Sequence, residues 1–90
     1  MQAKQIVKEL RKGANISFCY KTLSGTVGIL EFFRDHSYLI MIEGIVGHAG
    51  NGDLVVNQTS EIVTLNYAER LVYDVMFSTE IINRSVSITY

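Results

Sequence analysis

The sequence contains no proline, one cysteine and no long apolar run. With no proline there is no stiff extended linker, and no low-complexity segment divides the chain. Its 90 residues are therefore expected to form one domain, 1–90. A single cysteine, Cys19, excludes an internal disulfide and a cysteine metal cluster. Its expected role is a small buried side chain. Apolar stretches stop short of the ~20 residues a spanning helix needs. Glu31, Arg34, Asp35 and Glu43 interrupt the best of them. Lys4 and Lys8 are not followed by an apolar leader segment, so a cytoplasmic protein without a membrane partner is expected.

Enzyme signatures are also missing. No G-x-S-x-G elbow surrounds any serine. The histidines, His36 and His48, lack His-x-His or His-x3-His spacing, which argues against a metal centre. The stretch GHAGNGD (47–53) has the glycines of a phosphate loop, but Asp53 and a β-like run stand where Lys-Ser/Thr and a helix would have to follow. A hairpin loop is the expectation there. The chain is expected to be no enzyme and to carry no cofactor.

What the sequence does have is apolar surface. It is 48% hydrophobic and 19% charged. A chain this short buries only part of such a surface by itself, so a homo-oligomer is expected to cover the rest. Net charge is −1. Residues 1–21 hold five basic groups against one acidic, and residues 22–90 three basic against eight acidic. The basic end offers phosphate contacts through Lys8 and Lys12. The acidic body favours a compact ligand over a long duplex.

Residues 2–12 place Ala3, Ile6, Val7 and Leu10 at helical spacing, and Gly13 stops that helix. Strand-like runs follow at 15–20, 26–33, 38–44, 53–58, 61–67, 70–78 and 85–90. In 26–33 the apolar face shifts from Val27 and Ile29 to Leu30 and Phe32, which predicts a bulge or strong bend near Ile29-Leu30, with Gly28 beside it. Turns are expected at Arg34–Ser37, at Asn51-Gly52 and at Gln58-Thr59-Ser60. The class expected is mainly β (α+β). An N-terminal helix leads into a small, strongly bent antiparallel barrel or sheet over 15–66, with extra strands over 70–90.

Two segments resemble the Sm-like fold. Leu23-Ser24-Gly25-Thr26-Val27 with Phe33-Arg34-Asp35 and Leu39-Ile40-Met41-Ile42 looks like the first Sm motif. Val55-Val56-Asn57-Gln58 with Ile62-Val63-Thr64-Leu65 is similar to the second. The helix ahead of them matches the arrangement of the bacterial Sm-like RNA chaperone. The spacing between Val27 and Leu39 is longer than in that family, Asn57-Gln58 replaces its Lys-His pair, and 67–90 have no counterpart in the minimal fold. The resemblance implies a ring of subunits joined strand to strand that binds RNA or a small nucleotide at its inner turns.

The candidate ligand-binding residues are therefore Lys8, Lys12, Arg34, Asp35, His36, Asn57 and Gln58. Tyr38, Leu39, Met41 and Tyr73 are the candidate interface residues, because their strands are apolar on both faces. The alternative is a small interaction module or inhibitor, such as a phage or mobile-element protein, that binds a host protein through those same faces.

Overall fold

The computed structural model describes residues 1–90. Helix α1 (Ala3–Arg11) buries Ala3, Ile6, Val7 and Leu10, the stripe that the spacing predicts. It starts with the Gln2 N–H donating to Gln5 Oε1 at 3.1 Å. It ends at Gly13, whose φ of 99° sits in the left-handed region. There the Gly13 N–H donates to the Leu10 carbonyl and the Ala14 N–H to the Glu9 carbonyl, closing a Schellman motif.

Four strands follow as a meander: β1 (Asn15–Thr22), β2 (Val27–Asp35), β3 (Tyr38–His48) and β4 (Leu54–Val63). Helix α2 (Leu65–Phe77) then crosses back, and β5 (Ile81–Thr89) pairs with β1. The sheet order is β4-β3-β2-β1-β5, every neighbouring pair antiparallel. This is the α+β, mainly β class. The sheet stays open, with β4 and β5 as its two edges.

Both helices lie on one side of the sheet. The core between them holds Ile6, Val7 and Leu10 of α1, Ala68 and Val72 of α2, and Ile16, Phe18, Leu30, Phe32, Leu39 and Met41 of the strands. Arg11, ending α1, forms a fork-like pair with Glu69, early in α2, at 2.8 Å on both bonds. Only 15 of 90 residues are buried, so the second side of the sheet has no cover within the chain.

Several sequence expectations need correction. No bulge interrupts β2: its register with β1 and β3 is unbroken through Ile29 and Leu30. Val27, Ile29 and Phe33 face the open side while Gly28, Leu30 and Phe32 face the helices. The strand is apolar on both faces, which a bulge would mimic. Gln58-Thr59-Ser60 is not a turn; it lies in the middle of the ten-residue β4. Residues 70–78 are not a strand but part of α2. Val72, Tyr73 and Val75 read as strand formers, yet Leu65, Ala68, Val72 and Val75 recur at helical spacing. The Thr64 side chain caps that helix, its Oγ1 accepting from the Tyr67 N–H at 3.1 Å. Cys19 is exposed on the open side of the sheet, not buried.

The Arg11–Glu69 pair gives the fold a pH signature. The hydrogen bond from Arg11 holds the Glu69 carboxyl below its ordinary value, against the opposing effect of burial. A carboxylate depressed on folding contributes stability above its unfolded pKa and loses it as pH falls through the folded value. Glu69→Gln should therefore lower the melting temperature at neutral pH. The two proteins should converge in acid, once the wild-type carboxyl is protonated. Thermal melts in neutral and strongly acidic buffer check this, and a constant gap between the two curves would contradict it.

Candidate functional site

The helix side of the sheet is longer than the helices that cover it. β3 and β4 run on past the end of β2 as a two-stranded arm. In the angle between that arm and α2 lies an open groove of about 510 Å³. Tyr20, Leu30 and Ile45 supply sheet walls, Leu71 and Val75 supply the α2 wall, and Glu43, Asn57 and Thr59 bring the polar side chains, while Gln58 borders the groove with its side chain turned to the open side beside Gly44 and Val56. An apolar trough with a few converging polar groups is the usual form of a small-molecule site, and this volume falls in the usual range.

Gly28 shapes the groove. It pairs with Tyr20 across the β1–β2 ladder. A Cβ at position 28 would collide with the Tyr20 ring, so the ring lies flat over the glycine. An aromatic covering a strand glycine repairs the packing the glycine lacks. Gly28→Ala should push the Tyr20 ring off this seat. The expected cost is about 1–2 kcal/mol, with altered near-UV circular dichroism from the displaced tyrosine. Unchanged spectra and stability would show that the ring has another seat.

The sequence candidates fall in three separate places. Asn57 lines the groove with its side chain, whereas Gln58 borders it with its side chain turned to the open side of the sheet. Arg34, Asp35 and His36 lie at the opposite end of the strands. The pairing positions of Arg34 and Gly28 are six residues apart along β2, or about 20 Å. Lys8 and Lys12 are exposed on α1 and do not line the groove. The seven ligand candidates therefore do not converge.

Two arginines of the apolar body, Arg34 and Arg84, meet helix ends. Arg34 Nη2 donates to the Leu10 carbonyl at 3.4 Å, at the end of α1. Arg84 donates from Nε to the Val75 carbonyl at 3.1 Å and from Nη2 to the Ser78 carbonyl at 3.3 Å, at the end of α2. Cations there satisfy carbonyls that have no partner in the helix and meet the negative end of the dipole. Arg84→Met should cost about 1–3 kcal/mol, read as a lower urea midpoint with the same slope. An unchanged midpoint would mean that water satisfies those carbonyls equally well.

Asp35 and His36 form an exposed contact, His36 Nδ1 to Asp35 Oδ1 at 2.7 Å, at the tip of the β2–β3 hairpin. His36 holds a φ of 58° there. The left-handed region suits a tight hairpin turn and does not suit a side chain. His36→Gly should stabilise the fold by up to about 1 kcal/mol. A drop in melting temperature would instead credit the Asp35 contact with holding the turn.

The interface candidates also divide. Leu39 and Met41 are 4% and 2% exposed beneath the helices. They are core residues, because they fall on the helix side of β3. Their neighbours Ile40 and Ile42 occupy the open side. Tyr38 is exposed at the hairpin end. Tyr73 is half-buried on α2, its ring 6.1 Å from that of Phe77 and nearly parallel to it.

Sequence reasoning did not single out Glu43, Thr59, Leu71 or Val75 for the groove. The signal for Leu71 and Val75 was the helical spacing of 65–77. The signal for Tyr20 was its pairing with Gly28, which becomes visible only once the β1–β2 register is known.

The fold and groove define an open α+β sheet with one helix-covered side, one bare side and a trough along one edge. No helix is long and apolar enough to cross a membrane. No protein-family model, no characterised protein and no solved structure matches the chain.

Proposed function

We propose that this chain is a non-enzymatic, homo-oligomeric binding protein that captures a compact nucleotide-type ligand at a subunit boundary. One observation carries the reading: the groove beside α2 is floored by β4, and β4 is a free edge of the sheet. A ligand in that groove lies next to whatever subunit pairs with the edge. Tyr20 offers a ring face for a base, and Asn57 offers an amide donor and acceptor for its edge. Glu43 is the only charged lining group. A carboxylate accepts from ribose hydroxyls and repels phosphate. The base and sugar therefore enter the groove and the phosphate stays toward solvent.

Titration calorimetry with adenosine and uridine monophosphate tests the ligand reading. Asn57→Leu should weaken binding at least about tenfold, the loss of one buried hydrogen-bonding partner. Lys8→Ala/Lys12→Ala should leave mononucleotide binding unchanged. No heat with either nucleotide, or no effect of Asn57→Leu, would overturn it.

A second reading has its own support. The bare side of the sheet carries Val27, Ile29, Phe33, Ile40, Ile42 and Ile62, and an apolar face this broad suits a protein partner. An interaction module or inhibitor that docks a host protein there is the alternative. Phe33→Asp would abolish such docking without touching the groove.

A further inference from the structure

We infer that two copies of this chain join through β4 around a two-fold axis at Thr59, forming one ten-stranded antiparallel sheet in which each groove receives Glu61 of the other copy. The inference rests on the oligomeric reading above and deepens it by naming the edge, the register and the shared site.

The choice of edge comes first. β4 bears no lysine, no proline and one charge, Glu61. Nine of its ten residues are exposed, so both faces of this edge are free. Natural edges that avoid pairing carry charges, prolines or bulges, or lie under a helix. β5 has two such protections: its register with β1 shifts at Lys21/Thr22, and it carries a charge, Arg84. β4 has no such shift. Direction points the same way. Alternate strands of the sheet run alike, so β4 and β5 are parallel to each other. Joining a β4 edge to a β5 edge as a simple continuation of the open sheet would be a parallel pairing. Two β4 edges about a two-fold axis pair antiparallel, the slightly more stable arrangement, and the assembly closes at two.

The register follows from the side chains. A two-fold axis perpendicular to the sheet keeps helix side with helix side, so opposed residues must share a face. Centring the axis on Thr59 sets Val56 against Ile62 on the open side and Val55 against Val63 on the helix side. Gln58 then meets Ser60, and the Glu61 carboxylate meets the Asn57 amide, a donor for it. Apolar meets apolar, the sole charge finds a hydrogen-bond donor, and no like charges oppose. Moving the axis to Gln58 sets Val55 against Glu61 and Val56 against Ser60, which leaves Leu54 against Ile62 as the one kind of apolar pair and gives Glu61 no donor. Asn57 and Thr59 line the groove. The partner's Glu61 therefore stands at its outer rim beside Asn57, and the groove is incomplete in one chain.

The test uses the full chain with Cys19→Ser, so that the one native thiol is gone. Thr59→Cys and Glu61→Cys are made separately, oxidised, and resolved by intact mass, with sedimentation velocity on the parent protein. About the proposed axis the two thiols of the Thr59→Cys variant sit directly opposite, within disulfide reach. The two thiols of the Glu61→Cys variant sit four positions apart, about 14 Å, out of reach. The expected result is a sedimenting dimer, rapid cross-linking of Thr59→Cys to more than half the chains, and little of Glu61→Cys. A dimer or larger assembly in which Thr59→Cys fails to cross-link, or Glu61→Cys links equally well, overturns the β4 register and leaves the oligomeric reading standing. A monomer overturns both.

Discussion

Phe32→Ala is expected to unfold most of the chain. Phe32 is fully buried at the middle of the sheet, paired with Ile16 on β1 and Met41 on β3, beneath both helices. Truncating a buried phenylalanine costs about 3–5 kcal/mol, through lost burial and the cavity left behind. Domains of this size have about 5–10 kcal/mol in all. The chain has one core cluster of 12 residues and no disulfide to compensate. Urea denaturation followed by circular dichroism reads this directly. A midpoint within experimental error of wild type would mean that the sheet side is held by contacts other than this core. Phe33→Ala, one residue on, faces the bare side and should leave the monomer's stability nearly unchanged. The contrast between neighbours is the sharpest test of which face is which.

The second large effect belongs to the edge. Val56→Lys combined with Ile62→Lys places like charges opposite each other across the proposed axis. Symmetry repeats the 56–62 pair, so two apolar pairs are lost and two repulsions gained. At up to about 1 kcal/mol for each change, the assembly weakens by roughly 30- to 1000-fold. Both residues are exposed in the single chain, at 44% and 63%, so folding is spared. Sedimentation should show the variant as a folded monomer at concentrations where the wild type is assembled. An unaltered assembly would move the interface to another surface.

The sequence showed α1 clearly, because four apolar residues at helical spacing and a terminal glycine all agreed. It showed β1, the β2–β3 hairpin and β3 for the same reason: local pattern and tertiary pairing pointed one way. It did not show α2. There β-branched and aromatic residues argued for a strand, while the spacing of Leu65, Ala68, Val72 and Val75 argued for a helix, and packing against α1 and the sheet decided. The phase change in β2 was real as a pattern and wrong as geometry, because a strand covered on one side and apolar on the other looks bulged from sequence. Half of the groove was legible through Asn57, whereas Gln58, its neighbour, turns its side chain to the other face. The other half depended on α2 lying where it does and on Tyr20 finding Gly28, and neither is local information. Arg34 carried the chemistry expected of a ligand-gripping residue, yet it is occupied by the carbonyl end of α1.

The native mass spectrum of the purified chain tests the central claim most directly. Homo-oligomeric capture at the β4 edge requires an assembly of two or more 10.1 kDa chains at micromolar concentration, with any retained ligand adding mass in the nucleotide range. Lone chains at 10.1 kDa across that range would contradict it, and would leave the bare side of the sheet as a docking face for a different protein.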